Sequence, residues 1–198
     1  MDELGQVVSA SAAAARCAIH PRYLHPKGGP FDAKYFLDLK RHDESFNYKT
    51  SVGSREFLPA VADVHEYGCK SAAISNEERA AAGKDVTPRK TAAHYIGFYN
   101  IQVADVESQS NEVYSVYVEH WPEKGQKAHC HIVLQENPEL SDEQRKLKSF
   151  HRTNVITGLW EHMSGPFRHI CECDEEHREF LALLDLPDPA VTSSVAEA

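Results

Sequence analysis

The spacing of apolar residues changes period along the chain. Over residues 4–19, Leu4, Val7, Val8, Ala12, Ala15 and Ile19 fall near one side of a helix, and the alanines between them favour that state. Pro21, Pro26, Pro30 and the pair Gly28-Gly29 make the next stretch irregular. Asp32 stands where it can cap a short helix through Tyr35, Phe36 and Leu39, although the same residues also alternate as a strand would. After Ser54, the positions Phe57, Leu58, Val61, Val64 and His65 have amphipathic spacing and predict a helix ending near Gly68. Ser75 and Glu78 form a capping-box pattern for a further short helix that stops at Gly83.

The middle third turns to β-branched and aromatic residues. Residues 93–104, 113–121 and 128–134 read as three strands joined by polar loops at 107–112 and 122–127. Connections this short predict an antiparallel meander over about residues 92–135. Helical spacing returns after Pro138, with a capping box at Ser141 and Gln144 followed by Leu147, Phe150, Ile156, Leu159, Trp160 and Met163. Trp160 and its apolar neighbours read as core, and Gly165-Pro166 closes that helix. A last helix is expected from Asp174 to Pro187. The sum is an α+β fold in a single domain over 1–190, with a small meander, flanking helices and a frayed tail at 191–198.

Composition narrows the function classes. The chain has 198 residues, 41% of them hydrophobic and 26% charged, which suits one folded core. Its 30 acidic against 21 basic residues give a formal charge of -9, which argues against nucleic acid as a partner on charge alone. No window approaches a membrane span, and the start, with Asp2 and Glu3 before small alanines, lacks the form of a secretory peptide. The expectation is a cytoplasmic protein that uses no membrane. The 5 cysteines, irregularly spaced, fit reduced thiols better than a disulfide framework.

Among 12 histidines, three gather on one expected hairpin: His120, His129 and His131. Residues two apart on a strand share a face, so His129 and His131 do, with Cys130 turned away. If 120 opposes 129, all three imidazoles lie on that face with Cβ atoms roughly 5 Å apart, close enough to share a divalent metal ion. A slip of one residue brings Glu119 there instead, giving two histidines and a carboxylate. Either register leaves a coordination position open for water. The bland alternative is that the hairpin histidines are structural or solvent-facing.

The run His129-Cys130-His131-Ile132-Val133-Leu134 resembles the paired-histidine strand of HUH endonucleases, where two His hold a divalent metal and a Tyr attacks DNA. That resemblance implies a nuclease, yet no Tyr follows Tyr117 to serve as nucleophile. Gly125-Gln126 before His129 and His131 resembles the histidine-triad nucleotide hydrolases, although Val133 occupies the position of their third His. The spacing His129-x-His131-x4-Glu136 resembles half of a cupin metal motif, without its downstream glycine. Each likeness covers about a dozen residues at most, and none names a family.

Other clusters point less firmly. His169, Cys171, Cys173 and His177 are zinc-type ligands without the usual Cys-x2-Cys spacing. His65 and Cys69 lie one helical turn apart, as a base and thiol would, and Arg145, Lys146, Lys148, His151 and Arg152 form a basic run. Two functions follow as expectations. One is a metal-dependent phosphoester hydrolase or nuclease-like enzyme, its ion held by His120, His129 and His131 and its substrate a small phosphoester. The other is a non-catalytic acidic protein that binds a basic protein surface.

Overall fold

Strands and helices are mixed along the chain. In order they are β1 (Gln6–Val7), β2 (Ala13–His20), α1 (Ala33–Leu37), β3 (Lys40–His42), β4 (Asn47–Ser54) and α2 (Val61–Ala81), then β5 (His94–Gln102), α3 (Val103–Ser108), β6 (Tyr114–His120), β7 (His129–Glu136), α4 (Asp142–Glu161) and β8 (Ser164–Arg168). The computed structural model describes residues 5–21, 31–37, 39–42, 47–87, 90–123, 125–169, 178 and 184–190. The fold is α+β: the strands form one antiparallel sheet in the order β1-β6-β7-β4-β2-β5-β8, and β3 pairs with β4. Among the described residues, no helix is long and apolar enough to cross a membrane.

The sheet has two covered faces. On one, Val52, Cys130, Ile132, Leu134, Val116 and Val118 meet the buried side of α4, Val155, Ile156, Leu159 and Trp160. Trp160 is core, as expected. Its ring lies 5.9 Å from that of Phe36 on α1, which in turn lies 5.2 Å from Tyr99 on β5. Edge contacts of this kind each contribute about 0.5–1.5 kcal/mol beyond their burial, and they fix the short helix α1 in place. On the other face α2, through Val64, and Leu58 just before it lie over Ala15, Phe98 and Ala128.

Several expectations need correction. Of the helix expected over 4–19, the described residues 5–19 carry two strands instead. β2 is central, paired with β4 and β5, and Ala14, Ala15 and Ala18 are buried there between layers. Small side chains let both helical layers approach, so tertiary packing overrides alanine's helix preference. The region from Val61 to Ala81 is one helix rather than two. Gly68 does not stop it, because a Cβ there would come within 2.3 Å of the Tyr95 ring; this glycine is a packing contact. Gly83, with φ 66°, ends the helix as expected.

The meander is half present. β6 and β7 pair, but β5 pairs with β2 and β8 instead of β6. Helix α3 and a turn in which the Asn111 side chain accepts from Val113 and Tyr114 N–H carry the chain past the neighbouring position. Asp32 does cap a helix, its carboxylate accepting the Lys34 N–H at 2.8 Å. Ser141 and Gln144 form the expected capping box, yet Leu147 and Phe150 are exposed on α4. The expected last helix and the tail 191–198 lie largely outside the described residues.

Strand β4 shares one edge between two partners. β2 pairs at Gly53 and Ser54, β3 at Asn47 to Lys49, and residues 50–52 fall between them. Arg16 fills the gap with its guanidinium, donating to the Ser51 carbonyl at 2.7 Å and to the Phe36 carbonyl at 2.7 Å. The sheet therefore opens at its middle, under the C-terminal half of α2. That opening positions the site.

Candidate metal centre

The hairpin of β6 and β7 sets the histidines. Glu119 opposes His131 and His120 opposes Cys130, which is the register carrying Glu119. The reason lies in the connection. Glu123 bridges to Gln126, whereas the Trp121 N–H bonds to the His129 carbonyl. Only residue 122 lies between the pairs on one side, but 127 and 128 on the other, so the chain carries an extra residue there. A bulge of one residue exchanges the faces of everything beyond it.

His129 and His131 therefore share a face with Glu119, and His120 does not join them. Its ring stacks on Phe57 at 5.1 Å, and its Nε2 bonds to the Lys127 carbonyl at 2.6 Å. The carboxylate that converges instead is Glu123. One ligand atom from each of Glu123, His129 and His131 lies within 4.8 Å of the others, so the group could hold a metal ion. The two imidazoles are buried and meet edge to face at 4.8 Å, while Glu123 is half-exposed at the rim. Sequence reasoning missed Glu123. The signal was there: 119, 121 and 123 continue the strand's alternation past its last ladder pair.

A main-chain hydrogen bond holds His129, and a carboxylate stands beside His131. A carbonyl can only accept, so the 2.7 Å contact between His129 Nδ1 and the Trp121 carbonyl puts the proton on Nδ1. Nε2 then carries the lone pair, as a ligand requires. His131 Nδ1 faces Glu119 Oε1 at 3.6 Å, and the same oxygen accepts from Lys49 Nζ at 2.5 Å. Lys49 Nζ also sits 4.8 Å above the Trp121 ring. The loop carrying Glu123 is tied to α2, since Ser71 Oγ donates to Gln126 Oε1 at 3.1 Å.

Both histidines and Glu123 line a cavity of about 410 Å³ at the opening of the sheet. Arg16, Lys40 and Lys49 also line it, against the carboxylates of Glu78 and Glu123. Tyr67, Ile74, Ile19 and Phe36 supply apolar wall. Burial pushes the Cys17 thiol up to about 12, which favours the neutral thiol at pH 7. Tyr67 is likewise pushed up by burial.

The other clusters separate. Cys69 Sγ lies 3.5 Å from His169 Nε2, and the His65 ring stacks on His169 at 4.5 Å while its Nδ1 meets the Tyr95 hydroxyl at 2.8 Å. The thiol thus contacts His169 rather than His65. Burial raises the pKa of Cys69 and lowers that of His65, so each is favoured in its neutral form. Cys171, Cys173 and His177 lie outside the described residues. Glu136, the carboxylate of the cupin likeness, is paired with Lys148 and belongs to the face opposite His131. Within the basic run, Lys148 is thus engaged, and Arg152 lies 4.6 Å over Tyr48.

No protein family, curated protein or solved structure matches the chain. The chemistry of the site must be read from its own residues.

Proposed function

We propose that this protein is a divalent-metal-dependent hydrolase of small phosphoesters, its ion held by His129, His131 and Glu123. One observation carries the reading: three ligand atoms lie within 4.8 Å of one another on the wall of a cavity of about 410 Å³. Two neutral imidazoles and one carboxylate are a donor set for zinc and for other first-row divalent ions, with positions left for water and substrate. An ion there supplies Lewis acidity toward a phosphoryl oxygen and lowers the pKa of a water.

The chain's own groups fit an anionic ester. Lys40 and Lys49 line the cavity beside the ligands, and Arg16 adds a charge fixed by its two carbonyl partners. The volume falls within the roughly 300–1,000 Å³ of sites for small organic ligands. Tyr67 and Ile74 would flank the organic part of the substrate, while His129 and His131 anchor the reacting end.

The reading is tested with p-nitrophenyl phosphate and bis(p-nitrophenyl) phosphate in the presence of Zn(II), Mn(II) or Co(II). Turnover that is lost with a chelator, restored by metal and lost in His131→Ala supports it. A protein that binds one equivalent of metal yet hydrolyses neither ester is not a phosphoesterase of this kind.

A further inference from the structure

Beyond the three ligands, a buried carboxylate and lysine stand behind one of them. Glu119 on β6, His131 on β7 and Lys49 on β4 sit on three adjacent strands, and their side chains are respectively 9%, 10% and 15% exposed. A salt bridge that far from water is not explained by stability alone. Taking both charges out of solvent costs as much as their attraction returns, and an apolar pair of similar size would serve the sheet as well. What the pair does place is a negative charge 3.6 Å from His131 Nδ1.

We infer that Glu119, held by Lys49, is the positioning residue of His131: it keeps the Nδ1–H turned to the carboxylate and so presents Nε2 to the metal. The inference rests on the metal reading above and adds to it Glu119, which is not among the three ligands and does not line the cavity. It also accounts for an asymmetry between the two ligands. His129 is set by a main-chain carbonyl, that of Trp121, which no substitution removes. The neighbour of His131 on β6 instead offers a side chain, and a carboxylate there raises the basicity of the ligand nitrogen as well as fixing its tautomer. Lys49 completes the arrangement from the opposite strand. Its ammonium takes the carboxylate oxygen and lies against the Trp121 ring, so Glu119 has a fixed place beside the imidazole.

Two readouts test this. In the metal-free wild type, long-range 1H–15N spectra at pH 8 should show His131 protonated on Nδ1. In the double variant Glu119→Leu/Lys49→Met, which replaces the ion pair with an apolar one and so avoids a stranded charge, the proton should move to Nε2, the tautomer preferred by free histidine. Second, Glu119→Gln, once shown to be folded by circular dichroism, should weaken Co(II) binding by about 10–100-fold and alter the visible spectrum of the Co(II) protein. A wild-type His131 protonated on Nε2, or equal Co(II) affinity in wild type and Glu119→Gln, overturns the inference. A wild type that binds no Co(II) at all fails the metal reading instead, and the tautomer then decides the hold of Glu119 on His131 by itself.

Discussion

His129 donates its Nδ1–H to the main-chain carbonyl of Trp121 at 2.7 Å, across the first pair of the hairpin loop. Glu123 Oε1 also lies 3.5 Å from that nitrogen, but the backbone carbonyl is the nearer acceptor, so the hairpin's register sets the tautomer. Glu123→Gln should therefore weaken metal binding while leaving the His129 proton on Nδ1. Calorimetric titration with Zn(II) and the 15N spectrum check the two halves. A shift of the His129 proton to Nε2 in that variant would contradict the account of how the site is built.

The contact between Gly68 and Tyr95 predicts a stability effect. Alanine normally favours a helix interior by about 1 kcal/mol over glycine. Here the new methyl would meet the buried Tyr95 ring at 2.3 Å, and overpacking a core costs about 1–3 kcal/mol. The clash wins, so Gly68→Ala should lower the melting temperature by several degrees. A variant that melts at or above the wild type would show that Tyr95 moves aside freely.

The residues explain what could be read from sequence and what could not. Alternation marks β6 and β7, so the hairpin and the shared face of His129 and His131 were legible. The register was not, because it turns on one extra residue at 127–128, and no local preference distinguishes that bulge from a plain turn. Ala14, Ala15 and Ala18 look helical by propensity and are strand by packing. Gly68 resembles a helix stop until the Tyr95 ring is placed against it. The cavity depends on β2 and β3 sharing one edge of β4, a long-range fact with no local trace.

Acid should destabilise the fold through His65. Burial, and then the neighbouring His169, hold its pKa below the ordinary 6.5. Between that lowered value and 6.5 the unfolded chain binds more protons than the folded one, so stability contributed by the neutral ring is present above 6.5 and is lost as pH falls below it. His65→Gln can keep a partner for the Tyr95 hydroxyl without titrating. Its denaturant midpoint should fall less than the wild type's between pH 7 and pH 5. Parallel pH profiles would remove His65 from the explanation.

Cysteine reactivity offers an independent check on burial. Cys130 is fully buried between β6 and β4, and burial pushes its thiol up to about 12. Iodoacetamide at pH 8 should leave Cys130 unmodified in the folded protein and alkylate it in denaturant, as peptide mass spectrometry would show. Rapid native alkylation would mean that this hairpin does not pack as described.

The most direct measurement is the stoichiometry of metal bound to the purified protein, compared with the double variant His129→Ala/His131→Ala. The metal-site reading predicts close to one equivalent of a divalent ion per wild-type chain after loading and dialysis, and none retained by the folded double variant. Substoichiometric metal in the wild type, or the same content in both, would contradict it and favour the acidic, non-catalytic binding protein instead.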